Sequence, residues 1–185
     1  MTSNKNFEIE RKFIVRNLDW KSATVPKRDI KQVYVCASDG WLTRLRIYDH
    51  AEAEITIKGP QKNKELGCPE FNVPMPIADA FELWNQSGNR WLEKERSCLK
   101  AEGEVEGLLW EVDEFKGIFN GLIVAEIELP SADTKIVIPD WIACEVTGNP
   151  AFNNHRMAKF VAEDDGIFNY VDYFYENVID TLARK

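Results

Sequence analysis

Phe7-Glu8-Ile9-Glu10-Arg11-Lys12-Phe13 sets the pattern on which the reading of this chain turns. Side chains alternate across a strand, so Glu8, Glu10 and Lys12 share one face. Phe7, Ile9 and Phe13 share the other face with Arg11. An ordinary half-buried strand sets an apolar face against a mixed polar one. Here the polar face lines up two carboxylates and an ammonium. The arrangement recurs downstream as Arg44/Arg46, Lys58, Glu70/Asn72, Lys94/Arg96, Glu111/Asp113 and Glu126/Glu128.

Around that stretch, strand signals fill the first two-thirds of the chain. Alternating runs cover residues 7–15, 30–37, 41–48, 53–58, 69–74, 90–99, 107–115 and 121–129. Ser38-Asp39-Gly40 reads as a hairpin turn, and residues 61–67 as a lysine-rich polar loop. Over 77–87 the period changes: Ile77, Ala80, Phe81 and Trp84 recur at helical spacing before Gly88. Residues 139–144 read as one short turn and 150–163 as a helix, with Asn154 as a capping residue. Ile167, Tyr170, Val171, Phe174, Val178 and Leu182 form a final amphipathic stripe, read as packing or as a helix closing one mouth of the fold.

Eight antiparallel strands with few helices predict a mainly β fold with flanking helices, an α+β arrangement around a closed eight-stranded antiparallel barrel. With the charged faces inward, the interior becomes a charged tunnel. Ile9, Phe13, Leu45, Ile47, Ile55, Ile57, Phe71, Val73, Val112, Ile127 and Leu129 then face outward under helices and loops. Residues 1–185 suit one domain, with helices over about 150–184. The outward apolar face could equally serve a homodimer.

The net charge of -8 argues against a broad nucleic-acid surface. No apolar run approaches the roughly 20 residues that span a bilayer. Cys36, Cys68, Cys98 and Cys144 form no Cys-x-x-Cys motif and, with no signal peptide, read as reduced thiols of a cytoplasmic protein. His50 and His155 are the only histidines, too few for an imidazole-built metal site.

Lys12, Arg44, Arg46, Lys58, Lys94 and Arg96 would repel one another in a narrow bore unless anions sat among them. Guanidinium groups pair bidentately with phosphate, and lysines add point charge. Glu8, Glu10, Glu70, Glu111, Asp113, Glu126 and Glu128 supply carboxylates, about 5 Å apart between neighbouring strands. That donor type suits Mg²⁺ or Mn²⁺. A nearly balanced bore would attract a polyphosphate weakly, and one or two such ions would turn it net positive.

Glu8-Ile9-Glu10-Arg11-Lys12-Phe13 resembles the Glu-x-Glu-x-Lys signature of the CYTH superfamily, the triphosphate tunnel metalloenzymes. Arg44-Leu45-Arg46, Ile55-Thr56-Ile57-Lys58, Glu70-Phe71-Asn72, Glu93-Lys94-Glu95-Arg96, Trp110-Glu111-Val112-Asp113, Ala125-Glu126-Ile127-Glu128 and Glu145-Val146-Thr147-Gly148 follow in the family's order. The resemblance implies an eight-stranded tunnel and metal-dependent attack on a linear triphosphate, closest to the short bacterial inorganic triphosphatases. It implies Glu8, Glu10, Asp113, Glu126 and Glu128 as metal ligands. Lys12, Arg44, Arg46, Lys58, Lys94 and Arg96 become phosphate ligands, and Glu8, Glu10, Lys12 and Glu128 the catalytic group. The small-molecule triphosphate is then the one partner, with no nucleic acid and no membrane. Asn72 stands where many members carry a second Glu, which leaves metal number and substrate preference open. Glu70 and Glu111 read equally well as rim residues, and His155 and Arg156 as surface. Two other readings stand: an adenylate cyclase on the same scaffold, and a non-catalytic polyphosphate binder.

Overall fold

Phe7–Val15 forms the first strand (β1), and its two edges organise the molecule. The computed structural model describes residues 7–22, 25–60, 68–88, 90–163, 174 and 176–178. Along the chain follow Lys27–Ser38 (β2), Trp41–Tyr48 (β3), Glu52–Lys58 (β4), Cys68–Met75 (β5), Ile77–Gln86 (α1), Trp91–Lys100 (β6), Leu109–Phe115 (β7), Ile123–Leu129 (β8), Ile142–Glu145 (β9) and Asn154–Glu163 (α2). The eight expected strands and the helix expected over 77–87 are present. The loop expected over 61–67 lies outside the described residues, as does most of the final stripe. Among the described residues no helix is long and apolar enough to cross a membrane.

Every pairing is antiparallel, in the order β5-β4-β3-β2-β6-β7-β8-β1. The ring closes where Phe7 and Glu8 of β1 meet Pro69 and Cys68 of β5. β1 pairs with β8 from Ile9 to Ile14 on one edge. Its other edge is shared, by β5 at the start and by β9 over Phe13–Val15. The closure is therefore staggered, as tilted strands in a closed sheet require. The β2–β3 turn needs positive φ at Asp39 (51°) and Gly40 (80°), and a Cβ on Gly40 would stand 2.8 Å from Pro60 Cβ.

Two of the apolar clusters lie outside the ring. Phe13, Trp20, Trp110, Val112, Ala125 and Ile127 form one cluster, with Phe13 edge-on to Trp110 at 5.3 Å. Val33, Leu45, Ile47 and Ala53 form another beneath Ala80 of α1. Ile57, Phe71 and Val73 remain exposed on the outer face of β4 and β5. The bore holds the opposite chemistry: Lys12, Gln32, Arg44, Thr56, Lys94, Arg96, Asp113 and Glu126 are all buried.

One end of the bore departs from the expected charge. Leu92, Phe115 and Val124 share the faces of Lys94, Asp113 and Glu126, so they also point inward. They pack with Phe152, with Met157 and Ala158 of α2, and with Phe174. Phe174 stacks on Phe152 at 5.2 Å. Apolar side chains thus fill that end, and Phe174 and Val178 from the final stripe serve as packing.

Two local expectations are corrected. Residues 139–144 form a turn only at their start, where the Ile142 N–H donates to the Pro139 carbonyl, and Ile142–Glu145 then pairs with β1 as β9. The helix expected over 150–163 is broken into a 3₁₀ turn, Pro150–Phe152, and α2. The cap is Asn153, not Asn154: its Oδ1 accepts from the backbone N–H groups of His155 and Arg156.

Candidate active site

Strand parity gathers the inward side chains around a cavity of about 1010 Å³. Glu8, Glu10 and Lys12 come from β1, Arg44 and Arg46 from β3, and Lys58 from β4. Arg96 comes from β6, and Glu126 and Glu128 from β8. Glu70, Asn72 and Glu111 also line it. A second lobe of about 530 Å³ shares Glu8, Glu10, Lys12 and Lys58 and reaches His155 and Arg156. Lys94 and Asp113 lie apart from the rest. Both are fully buried, pair with each other, and contribute nothing to the lining of either lobe.

The buried charges are heavily cross-committed. Asp113 accepts from Arg96 Nε at 2.6 Å and from its Nη2 at 2.7 Å. Arg96 also meets Glu111, and Glu126 at 3.2 Å. Lys12 Nζ stands 2.7 Å from Glu126 and donates to the Phe152 carbonyl at 3.3 Å. Burial pushes the Asp113 carboxyl up, but Arg96 and Lys94 outweigh it and hold it below the usual range. Glu126 is held far below that range: burial opposes ionisation, and Lys12, Lys94 and Arg96 overcome it. Lys94 is pushed down to about 8 by burial and by Arg96, against the pull of Asp113.

The wall of β1, β4 and β5 carries a shared proton. Lys58 Nζ lies 2.6 Å from Glu8 and 2.5 Å from Glu70. Burial, a hydrogen bond with Glu70 and the charge of Glu10 raise Glu8 to about 9 despite Lys58. Burial also works against ionised Glu70. The Glu8 hydrogen bond, Lys58 and Arg44 win there and hold it at about 2. The two opposite shifts leave the pair holding one proton between them at neutral pH.

Two groups of side chains stay less committed. Glu10 and Glu128 face each other across β1 and β8. Like charges placed so are unfavourable, and among the described residues the ion pair Glu10 makes is with Lys12, at 4.0 Å. Among the described residues Glu128 has no ion-pair partner. Opposed carboxylates open to a cavity fit a hard divalent cation such as Mg²⁺ or Mn²⁺, which keeps several waters. Among the described residues no three Asp, Glu, His or Cys side chains are grouped to enclose an ion. The other oxygens around such an ion would come from water and substrate.

The second group is cationic. Arg44 is buried, donates to Thr56 Oγ1 at 3.0 Å, and has its nearest carboxylate, Glu70, at 3.7 Å. Its Nε is buried without a hydrogen-bond partner. Burial and the adjacent Arg46 lower its pKa. Arg46 Nε donates to Gln32 Oε1 at 3.2 Å, and no carboxylate among the described residues pairs with it.

Several residues of the bore escaped the sequence reading. Gln32 and Thr56 are fully buried in the bore, and Tyr34 accepts from Gln32 Nε2 at 2.9 Å. They share inward parity with charged neighbours, but they carry no charge to mark them. His155, read as surface, lines the cavity and meets the Tyr34 ring edge-on at 5.1 Å. Glu145 lies outside the ring and binds Arg11 through contacts of 2.9 and 2.7 Å, which fastens β9 to β1.

The chain is similar to two inorganic triphosphatases. One, from Acetivibrio thermocellus, is 33% identical over 153 residues, 82% of this chain and 93% of that protein. The other, from Nitrosomonas europaea, is 30% identical over 155 residues, 82% and 96% of the two chains. The crystal structure of the inorganic triphosphatase NE1496 superimposes with a TM-score of 0.57 at 27% identity, covering 82% of this chain and 93% of that one. The CYTH domain model matches residues 6–160, from the start of the first charged strand into α2, and the chain belongs to the CYTH domain family.

Proposed function

We propose that this protein hydrolyses a linear triphosphate, inorganic tripolyphosphate foremost, within the ring, using Mg²⁺ or Mn²⁺. The observation that carries the reading is the Arg44/Arg46 pair. Two cavity guanidinium groups lie two residues apart on one strand face, and the buried Arg44 Nε lacks an acceptor. A buried, unmatched donor is costly, and a phosphate oxygen would accept from it.

Arg44 and Arg46 grip the phosphate chain. Lys12, Lys58 and Arg96 add positive charge, but each also holds a glutamate in place. Glu10 and Glu128 would hold the ion, with Glu8 beside them. The ion would supply charge to the phosphoryl oxygens and lower the pKa of an attacking water. That water gives its proton toward the Glu10/Glu128 pair and bonds to the terminal phosphorus. The anhydride P–O bond breaks, and pyrophosphate leaves with the bridging oxygen. Arg46 meets the charge that develops on it. Lys94 and Asp113 act from beneath by fixing Arg96.

The test is phosphate release from tripolyphosphate with each metal. The wild type should release orthophosphate, and Arg46→Ala should lower kcat/KM by about 10²-fold, the scale of one lost charge-stabilising donor. Tripolyphosphate that raises the melting temperature but stays intact would replace hydrolysis with binding.

A further inference from the structure

The wall formed by β3, β4 and β5 carries an unbroken polar relay. Arg44 Nη2 donates to Thr56 Oγ1 at 3.0 Å, and Thr56 Oγ1 donates to Asn72 Oδ1 at 2.7 Å. Asn72 Nδ2 then donates to Glu70 Oε1 at 3.1 Å. The sheet register enforces the order, because Arg44 faces Thr56 across β3/β4 and Thr56 faces Asn72 across β4/β5. Each polar atom of the amide has a use: the oxygen takes the Thr56 proton and the nitrogen holds Glu70. Glu70 is meanwhile bound by Lys58 at 2.5 Å and stays 3.7 Å from Arg44.

We propose that Asn72 is a specificity-determining residue whose neutral amide keeps Arg44 uncompensated, reserving this wall for substrate phosphate and not for a cation. The proposal rests on the triphosphate reading above. A carboxylate at position 72 would accept the same Thr56 hydrogen bond. It would also place a negative charge within the relay that ends on Arg44 and beside Glu70. Arg44 would then have a counter-ion of its own, and the two carboxylates would attract a divalent ion to the grip. The amide forbids both. The lowered Arg44 pKa and its unmatched Nε are the marks of a guanidinium left without full compensation.

Asn72→Asp and Asn72→Ala separate charge from geometry. Asp keeps size and acceptor but adds charge; Ala removes the relay and adds none. For tripolyphosphate hydrolysis, Asn72→Asp should raise KM roughly tenfold or more, the scale of one close charge in a partly buried site. Its kcat should stay within about threefold, since a grip lost equally from ground and transition states moves KM. Asn72→Ala should change KM by less than about threefold. A second arm needs no metal and no turnover: the melting-temperature rise that tripolyphosphate produces in EDTA. Asn72→Asp should lose most of that rise, and Asn72→Ala should keep it. Equal effects from the two variants, or a KM unchanged in Asn72→Asp, overturn the proposal. A wild type that binds tripolyphosphate without cleaving it refutes the hydrolytic reading alone, and the EDTA arm still decides Asn72. A wild type that neither binds nor cleaves it refutes both.

Discussion

Asp113→Asn tests what the buried end of the charged bore does. Asp113 is fully buried and receives two hydrogen bonds from Arg96, at 2.6 and 2.7 Å, and one from Lys94. The isosteric amide removes the charge and leaves both cations in place. Breaking a buried ion pair from one side costs about 3–5 kcal/mol. Lys94 limits its own share. Its pKa already stands at about 8, so shedding the proton at pH 7 adds only on the order of 1 kcal/mol. Arg96 cannot do likewise, and it carries the remainder with only Glu111 and Glu126 left to it. For a chain of this length each kcal/mol shifts the melting temperature by about 2–4 °C. The variant in EDTA should therefore melt roughly 6–20 °C below the wild type.

The pH dependence has a definite sign. The Lys94 pKa in the folded state is depressed below that of the unfolded chain, and further in the variant. The unfolded state then binds more protons, so stability rises with pH. In the variant this rise begins below the wild-type value of about 8. The deficit should narrow as pH climbs to about 8 and stay level above it, at the share owed to Arg96. A melting temperature in EDTA within about 2 °C of wild type, together with lost Mg²⁺-dependent turnover, would refute this reasoning. Asp113 would then be a metal ligand and not a buried strut.

Glu10→Gln and Glu128→Gln should each abolish metal-dependent phosphate release. In EDTA they should melt at or slightly above the wild-type temperature, because each relieves a like-charge pair across β1 and β8. Full activity in both would remove these residues from the site. Glu8 predicts a proton count: with its pKa raised to about 9, Mg²⁺ binding at pH 7 should release about one proton, measurable by calorimetry in buffers of different ionisation enthalpy. The same shift makes the folded state bind the extra proton above pH 4.5, so on account of Glu8 metal-free stability should fall as pH rises toward 9.

The alternation at Glu8/Glu10/Lys12, Arg44/Arg46 and Glu126/Glu128 was enough to read strands, their inner faces and a charged bore. Parity is a two-residue property that the local sequence carries completely. Helical spacing over Ile77–Trp84 was equally legible. β9 was not, because four residues with one partner strand offer no period to detect. Gln32, Tyr34 and Thr56 were hidden for another reason: they have the right parity but no charge.

Sequence alone therefore determined which residues face inward, that opposite charges would meet there, and which family the blocks resemble. Only the tertiary structure decided which of those charges are spent on one another. Lys94 and Arg96 are committed to Asp113, Glu111 and Glu126, whereas Arg44, Arg46, Glu10 and Glu128 keep charge that faces the cavity. It also decided that Leu92, Phe115 and Val124, of the same parity, meet α2 and fill one end of the bore. The physical reason is register: which inward residues stand at the same height depends on pairings between strands far apart in the chain, and on the stagger at which β1 closes onto β5.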